Sequence, residues 1–429
     1  MSSEKLVRGI RRWDLVAILV NSIIGAGIFR LPSEVAALIG SYGLLAILVC
    51  AIIAFLIILC YAEVSSRFSS TGGPYLYARE AFGPVVAFEV GWLYMLVRMG
   101  TFAANLNIFV SYLGVFLRSV NEPAMRITIV FIVVLTLATI NTIGVRQTAV
   151  ATNLFTIGKL IPIFVIVAIG LFYVRPMNFS FDPVPSYTSF SSAVLVFIYA
   201  FFGFEIALIP AAEVKDPQKN FPFALVASLA TVAMVYVLVQ VVCIGTLPGL
   251  VTSETPLADI ASNLIGSFGA ALVVLGALLS ILGNLNIGLL GGSRIMFAMG
   301  ERREMPVILS RIHPRFKTPH VSIALNALII FIFTIQFSFT TALALATITR
   351  LLVYASSCLS LIIFRERKNT PEARFSIPFG VATSVSALLL IVWLMTNVDF
   401  GAVGLPIVVM ATVGLVFYYV NRIYRMRTA

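Results

Sequence analysis

Asn21-Ser-Ile-Ile-Gly-Ala-Gly-Ile-Phe29 places two glycines, Gly25 and Gly27, inside an apolar run long enough to cross a membrane. Glycine destabilises a helix interior by roughly 1 kcal/mol per residue, and an unpaired backbone group in lipid costs several kcal/mol more. If the helix opens here, the N–H groups of Ala26, Gly27 and Ile28 form the start of a second half-helix, whose partial positive charge attracts a carboxylate. The alternative is a packing face of small residues.

The composition is that of a polytopic membrane protein. Of the 429 residues, 60% are hydrophobic and only 11% are charged, and the mean hydropathy is +1.03. Soluble globular domains are far more polar. The net charge of +11 comes from basic residues in short loops between apolar runs, where they set topology, so nucleic-acid binding is not indicated.

About twelve membrane spans are predicted from apolar runs of roughly 20 residues. They lie near residues 13–39, 43–67, 84–117, 124–143, 149–173, 190–212, 221–247, 264–299, 320–336, 341–364, 376–396 and 401–421. Basic residues concentrate in alternate loops, which predicts a multi-pass protein of the cytoplasmic membrane with both termini in the cytoplasm. Four cysteines inside the spans have no paired spacing, so neither a metal nor a disulfide is indicated.

The sixth span repeats the oddity of the first. Tyr199-Ala-Phe-Phe-Gly-Phe-Glu205 puts Gly203 and a carboxylate in mid-span, and Pro210 follows. Broken helices at corresponding positions of two halves indicate a transporter site built by inverted repeats. We therefore interpret residues 1–429 as one transporter domain with repeats at 13–173 and 190–364, followed by two peripheral helices at 376–421.

The motif Ile24-Gly-Ala-Gly-Ile-Phe29 resembles the first-helix motif of the amino acid, polyamine and organocation transporter family. Three further segments resemble the same family in the same order. They are Tyr61-Ala-Glu-Val-Ser-Ser-Arg67 with the segment 72–83, Phe202-Gly-Phe-Glu205 with Glu213-Val-Lys-Asp-Pro217, and Ser293-Arg-Ile-Met-Phe-Ala-Met299. The resemblance implies an all-α fold like that of the leucine transporter, with about twelve transmembrane helices, a five-plus-five inverted repeat and broken first and sixth helices.

An amino acid substrate follows from the broken helices and from the resemblance. Its carboxylate would accept from Ala26, Gly27 and Ile28, beside Gly25. The family pattern implies that its ammonium donates to the carbonyls of four residues near the breaks: Ile23, Tyr199, Ala200 and Phe202. The bulk of Phe202 favours small or medium neutral side chains. Phe204 and Glu205 are interpreted as gating or structural residues, and Thr71-Gly-Gly-Pro74 resembles the family's cytoplasmic gate.

Lys159 lies in the middle of the fifth span, where an unpaired charge is unfavourable and a functional role is the default hypothesis. Sodium-coupled relatives of the fold hold a cation near the first and eighth helices, and proton-coupled or exchanging members resemble this chain in having a lysine instead. We expect Lys159 to contact carbonyls near Ile23 and Ile24. Coupling to protons and a permanently charged strut both remain open.

Three arginines are more ambiguous. Arg98, deep in the third span, could read a second substrate carboxylate, but we favour pairing with Glu205 or Glu89, because a cation facing the substrate ammonium weakens binding. Arg30 and Arg350 are expected nearer the membrane edges, where they extend toward the surface or pair with Glu34.

The predicted function is secondary active transport of amino acids without a cofactor or metal. An obligate exchanger and a polyamine permease are the alternatives. An intramembrane enzyme is not indicated, because both histidines lie in one loop and the spans contain no nucleophile constellation. Whether an accessory subunit exists is not addressed by the sequence.

Overall fold

The computed structural model describes residues 10–25, 27–70, 72–114, 116–143, 145–209, 211, 214–336, 339–367, 370–397 and 400–428. Within these ranges the regular secondary structure is helical, apart from one isolated bridge between Ile10 and Val214. The helices are α1 Arg12–Ile23, α2 Gly27–Ile39, α3 Gly43–Ser65, α4 Pro74–Phe82, α5 Pro84–Leu113, α6 Pro123–Ile143, α7 Val145–Gly170, α8 Tyr187–Ile198, α9 Pro217–Thr246, α10 Pro256–Glu301, α11 His320–Gln336, α12 Phe339–Glu366, α13 Gly380–Thr396 and α14 Phe400–Thr428. Ala26, Thr71, Pro210 and Glu213 lie outside the described residues.

Among the described residues, eight helical segments are long and apolar enough to cross a membrane. They are Gly27–Ser65, Pro84–Leu113, Pro123–Ile143, Tyr187–Leu208, Pro217–Thr246, Pro256–Glu301, Leu345–Glu366 and Gly404–Ile423, with shorter apolar helices at Gly158–Tyr173, His320–Gln336 and Gly380–Thr396. An all-helical membrane protein is therefore confirmed, whereas the count of twelve spans and the inverted repeat stay predictions.

Burial separates the interior helices from the peripheral ones. The apolar stretch of Tyr187–Leu208 is 83% buried and that of α5 is 67% buried, against 17% for α6 and 11% for the stretch in α14. The interior helix α5 is also the least apolar of the eight. Side chains that carry polar chemistry are thus concentrated where protein, rather than lipid, surrounds them.

Both predicted helix breaks are present. α1 ends at Ile23, Ile24 is extended, and α2 begins at Gly27. α8 gives way to a single tight turn over Tyr199–Phe201, after which Phe202 is extended and Gly203 adopts φ +115°. A Cβ on residue 203 would lie 2.4 Å from the carbonyl oxygen of Ser22, so both the dihedral angle and the space require glycine.

A third irregularity was not predicted. α10 contains non-helical backbone at Ile265 and Gly266, where φ of Gly266 is +71°. The break coincides with the predicted start of the eighth span at residue 264, and the helix before it begins at Pro256. Hydropathy located the apolar part of α10 but could not reveal the helical turns that precede it.

Candidate functional site between two broken helices

The two breaks face each other across a small cavity. Gly203 lies directly against Ser22, and a Cβ added to Gly27 would lie 3.6 Å from the Cα atom of Ala200. Eight predicted site residues line the cavity: Ile23, Gly25, Gly27, Arg98, Tyr199, Ala200, Phe202 and Gly203. Ile28 is buried beside the break, and Ala26 is not described.

The cavity has a volume of about 20 Å³. That is room for roughly one water molecule, so an amino acid can bind only if the lining helices move apart. A larger cavity of about 550 Å³ lies between the end of α2 and the segments 178–185 and 244–251. None of the predicted site residues lines that larger space.

The start of α2 is suited to an anion. Its first N–H groups, beginning at Gly27 and Ile28, have no carbonyl partner within the helix and carry the positive end of the helix dipole. The first turn contains no acidic residue that would neutralise this end. Arg30 pairs with Glu34 at 2.9 Å, as predicted, and so is engaged along the helix.

The predicted carbonyl acceptors have partners that the sequence did not indicate. The hydroxyl of Tyr236, on α9, donates to the carbonyl of Ala200 at 2.8 Å and contacts that of Ile23 at 3.4 Å. The carbonyl of Tyr199 accepts from the N–H of Phe202 at 3.2 Å. Each carbonyl oxygen has two lone pairs, so these groups retain capacity for a substrate ammonium.

Lys159 is fully buried and ties α7 to the broken end of α1. Its Nζ donates to the carbonyls of Asn21 and Ile24 at 2.7 and 2.6 Å. The contact of Lys159 with the Ile24 carbonyl was predicted. The second carbonyl that Lys159 contacts belongs to Asn21 rather than to Ile23, whose carbonyl faces Tyr236. These carbonyls belong to the C-terminal end of α1, where exposed main-chain oxygens favour a cation.

A polar chain that was not predicted from the sequence crosses the site. Asn105 donates to the side-chain oxygen of Asn284 at 2.8 Å, and Asn284 donates to the carbonyl of Ser22 at 3.1 Å. The hydroxyl of Tyr199 donates to Asn105 at 3.2 Å. Asn284 also lies 3.1 Å from where a Cβ on Gly25 would stand, so this glycine keeps the amide close to the break. The sequence feature that could have indicated this polar chain is the presence of asparagines in the middle of apolar spans.

Glu205 is the centre of a buried ionic cluster. Its Oε1 accepts from Nη2 of Arg98 at 3.1 Å and lies 3.3 Å from Nε of Arg350. Its Oε2 accepts from the Tyr354 hydroxyl at 2.5 Å and from the Gly203 N–H at 3.0 Å. The predicted Arg98 to Glu205 pair is therefore present.

The structure corrects the expected position of Arg350 and decides which of two acidic residues pairs with Arg98. Arg350 was expected near the membrane edge, which is wrong: its side chain is 2% exposed and joins the Glu205 cluster, because α12 turns that face toward the interior. Glu89, the other partner considered for Arg98, lies instead beside Gly414 and Trp92.

Aromatic rings close the site around the second break. Phe202 packs edge-on against Tyr354 with ring centroids 5.2 Å apart, and Phe204 stacks on the same ring at 5.1 Å. Phe204 also contacts Tyr61 at 5.2 Å. In the predicted gate segment, the N–H of Gly72 donates to the carbonyl of Ile209 at 3.2 Å, just beyond the break.

The family model for amino acid permeases matches residues 10–418. The chain belongs to the amino acid permease family. The permease is 27% identical to the methylthioribose transporter of Bacillus subtilis (strain 168), over 97% of its own length and 94% of that protein. It is 28% identical to the serine/threonine exchanger SteT of the same organism, over 94% of each chain.

A third relative matches a smaller part of the chain. The permease is 30% identical to the cystine/glutamate transporter of Homo sapiens over 71% of its own length and 63% of that protein. The names of these relatives describe transporters and exchangers, so the permease is a transport protein and not an enzyme. The substrates in the names differ, so relationship alone does not assign one.

Proposed function

We propose that the permease carries L-amino acids across the cytoplasmic membrane by alternating access, as a secondary active transporter. The observation that carries the proposal is the pair of opposed helix breaks lining one cavity. The start of α2 offers N–H groups to a carboxylate, and the backbone around Tyr199 and Ala200 offers carbonyls to an ammonium. This arrangement recognises the part that all amino acids share.

The transmembrane arrangement we propose has twelve spans, with repeats at 13–173 and 190–364, peripheral helices at 376–421 and both termini in the cytoplasm. Helix lengths support this number. The segment Gly27–Ser65 contains two helices separated at Gly40, where φ is +55°. The first of them, α2, makes one crossing together with α1 before the break, and α3 makes the next. Together with the seven other long segments and the three shorter ones, these make twelve crossings.

Alternating access requires that ionic contacts open on the cytoplasmic side. Glu63 on α3 accepts from Arg365 of α12 at 2.6 Å and from Arg67 at 3.2 Å. Glu304, after α10, accepts from Arg79 of α4 at 2.5 Å. We place the cytoplasmic gate at these contacts, because they join helices of both proposed repeats.

Lys159 is our candidate for the coupling residue. When protonated it holds the carbonyls of Asn21 and Ile24, and loss of its proton would weaken the tie between α7 and the broken end of α1. Obligate exchange is the second candidate, in which Lys159 stays charged; it is favoured by the exchanger among the relatives. A polyamine is disfavoured because two guanidiniums line the cavity.

Uptake of a labelled amino acid mixture into liposomes containing the purified permease tests this function. Accumulation driven by an imposed pH gradient supports proton coupling. Uptake that depends strictly on amino acid inside the liposomes supports exchange. If no amino acid enters under either condition, the proposed function is wrong.

A further inference from the structure

The cavity between the broken helices is lined by two guanidiniums and by no carboxylate of the described residues. Arg98 of α5 and Arg350 of α12 both border it, and their side chains are 1% and 2% exposed. Glu205 contacts both from behind the lining. Around the cavity, two positive charges thus face one negative charge, before Lys159 is counted.

Glu205 cannot neutralise both arginines. They share a single oxygen, Oε1, because Oε2 already accepts from Tyr354 and from the N–H of Gly203. A carboxylate bound bidentately by one guanidinium would use both of its oxygens. Glu205 carries one negative charge against two positive ones, so one positive charge is uncompensated although both guanidiniums are at most 2% exposed, and such a charge is strongly unfavourable.

The remaining contacts of the two arginines are with neutral groups. Arg350 donates to the hydroxyl of Thr101 at 2.8 Å and lies 5.4 Å from the centre of the Phe202 ring. Arg98 lies 5.1 Å from the centre of the Tyr94 ring. Nε of Arg98 is buried and has no hydrogen-bond acceptor among the described residues, and Nε of Arg350 lies 3.3 Å from Oε1 of Glu205 without hydrogen-bond geometry. The cluster has unused donors for an additional anion.

We propose that the transported amino acid carries a carboxylate in its side chain, which the guanidiniums of Arg98 and Arg350 bind. The proposal rests on the proposed amino acid transport. The start of α2 binds the α-carboxylate, and the second carboxylate lies toward the arginines on the same cavity. An acidic amino acid brings one net negative charge, which balances the cluster, whereas a neutral one leaves the imbalance and a basic one enlarges it. This replaces the expectation of a neutral side chain.

A ligand screen on the purified full-length permease tests the side-chain class. The midpoint temperature of unfolding is measured with L-aspartate, L-glutamate, L-alanine, L-leucine, L-lysine and succinate at one concentration. We expect the two acidic amino acids to raise it and the others to leave it unchanged. Stabilisation by alanine or leucine without stabilisation by the acidic pair overturns the proposal but leaves amino acid transport intact. Stabilisation by succinate alone contradicts both. Stabilisation by none of the six overturns the acidic side chain, and the liposome uptake experiment then decides on amino acid transport.

An Arg350→Gln variant tests the charge balance directly. Removing one cation leaves Arg98 and Glu205 as a balanced pair, so the ratio of glutamate to glutamine affinity should fall at least tenfold. Arg350→Lys keeps the charge and should retain most of the preference, and Arg311→Gln, at an exposed loop position, should retain all of it. An unchanged ratio in folded Arg350→Gln contradicts the proposal. If that variant does not fold, the ligand screen on the natural protein decides.

Discussion

Replacement of Gly203 by alanine perturbs the point where the two broken helices meet. An added Cβ would lie 2.4 Å from the carbonyl oxygen of Ser22, so one of the two segments must shift by about 1 Å to restore ordinary contact. Overpacking of this kind costs about 1–3 kcal/mol. The φ of +115° adds about 1–3 kcal/mol of backbone strain for any other residue. The free energy of unfolding should fall by about 2–6 kcal/mol.

For a chain of 429 residues, an unfolding entropy of about 2.1 cal/mol/K per residue converts that loss into a decrease of roughly 2–7 °C in the unfolding midpoint. The assay is thermal unfolding of the purified permease, paired with uptake into liposomes. Because the shift would displace the lining of the cavity, we expect uptake to be lost even at temperatures where Gly203→Ala is folded.

Two alanine variants provide matched controls. Gly288→Ala adds a Cβ in a helix with one neighbour at 4.0 Å, so it should not lower the midpoint and should leave uptake unchanged. Gly266→Ala adds backbone strain at φ +71° with nothing within 4 Å, and should lower only the midpoint. If Gly203→Ala behaves like Gly288→Ala in both assays, the two breaks do not meet as described and the reasoning is refuted.

Two further substitutions test the polar partners of the breaks. Lys159→Met removes both charge-assisted bonds to the carbonyls of Asn21 and Ile24. Uptake should therefore fall at least tenfold and lose any response to a pH gradient. A Lys159→Met variant that still responds to the gradient excludes Lys159 as the coupling residue. Tyr236→Phe removes the hydroxyl that joins the Ala200 and Ile23 carbonyls. The lost hydrogen bond is worth about 1 kcal/mol, so KM should rise roughly fivefold. An unchanged KM would show that this hydroxyl does not hold the two breaks in place.

The backbone of the site was accessible from the sequence because glycine is unfavourable inside a regular membrane-spanning helix. Gly25, Gly27 and Gly203 marked both breaks, and Lys159 stood out as a charge in mid-span. The side-chain partners were less accessible. Hydropathy locates a span but not the face that it turns inward, so Arg350 was placed at an edge although it contacts Glu205, far away in the chain.

Because hydropathy does not give the rotation of a helix, the sequence also could not predict which carbonyl each donor contacts. Lys159 was expected near Ile23 and Ile24, but the rotation of α1 turns Asn21 toward α7 and Ile23 toward Tyr236. Asn105 and Asn284 become meaningful only when α5, α10 and α1 are placed side by side. Contacts between distant segments depend on helix rotation, which periodicity alone does not determine.

In the proposed transport cycle, the start of α2 binds the carboxylate of an amino acid. Counterflow in liposomes, with the permease and with Gly27→Val, tests it most directly. A side chain at residue 27 would stand 3.1 Å from Leu31 and 3.6 Å from Ala200, in the space between the two breaks. We expect Gly27→Val to be produced and folded like the natural protein but to exchange no amino acid. Normal counterflow by that variant would contradict it.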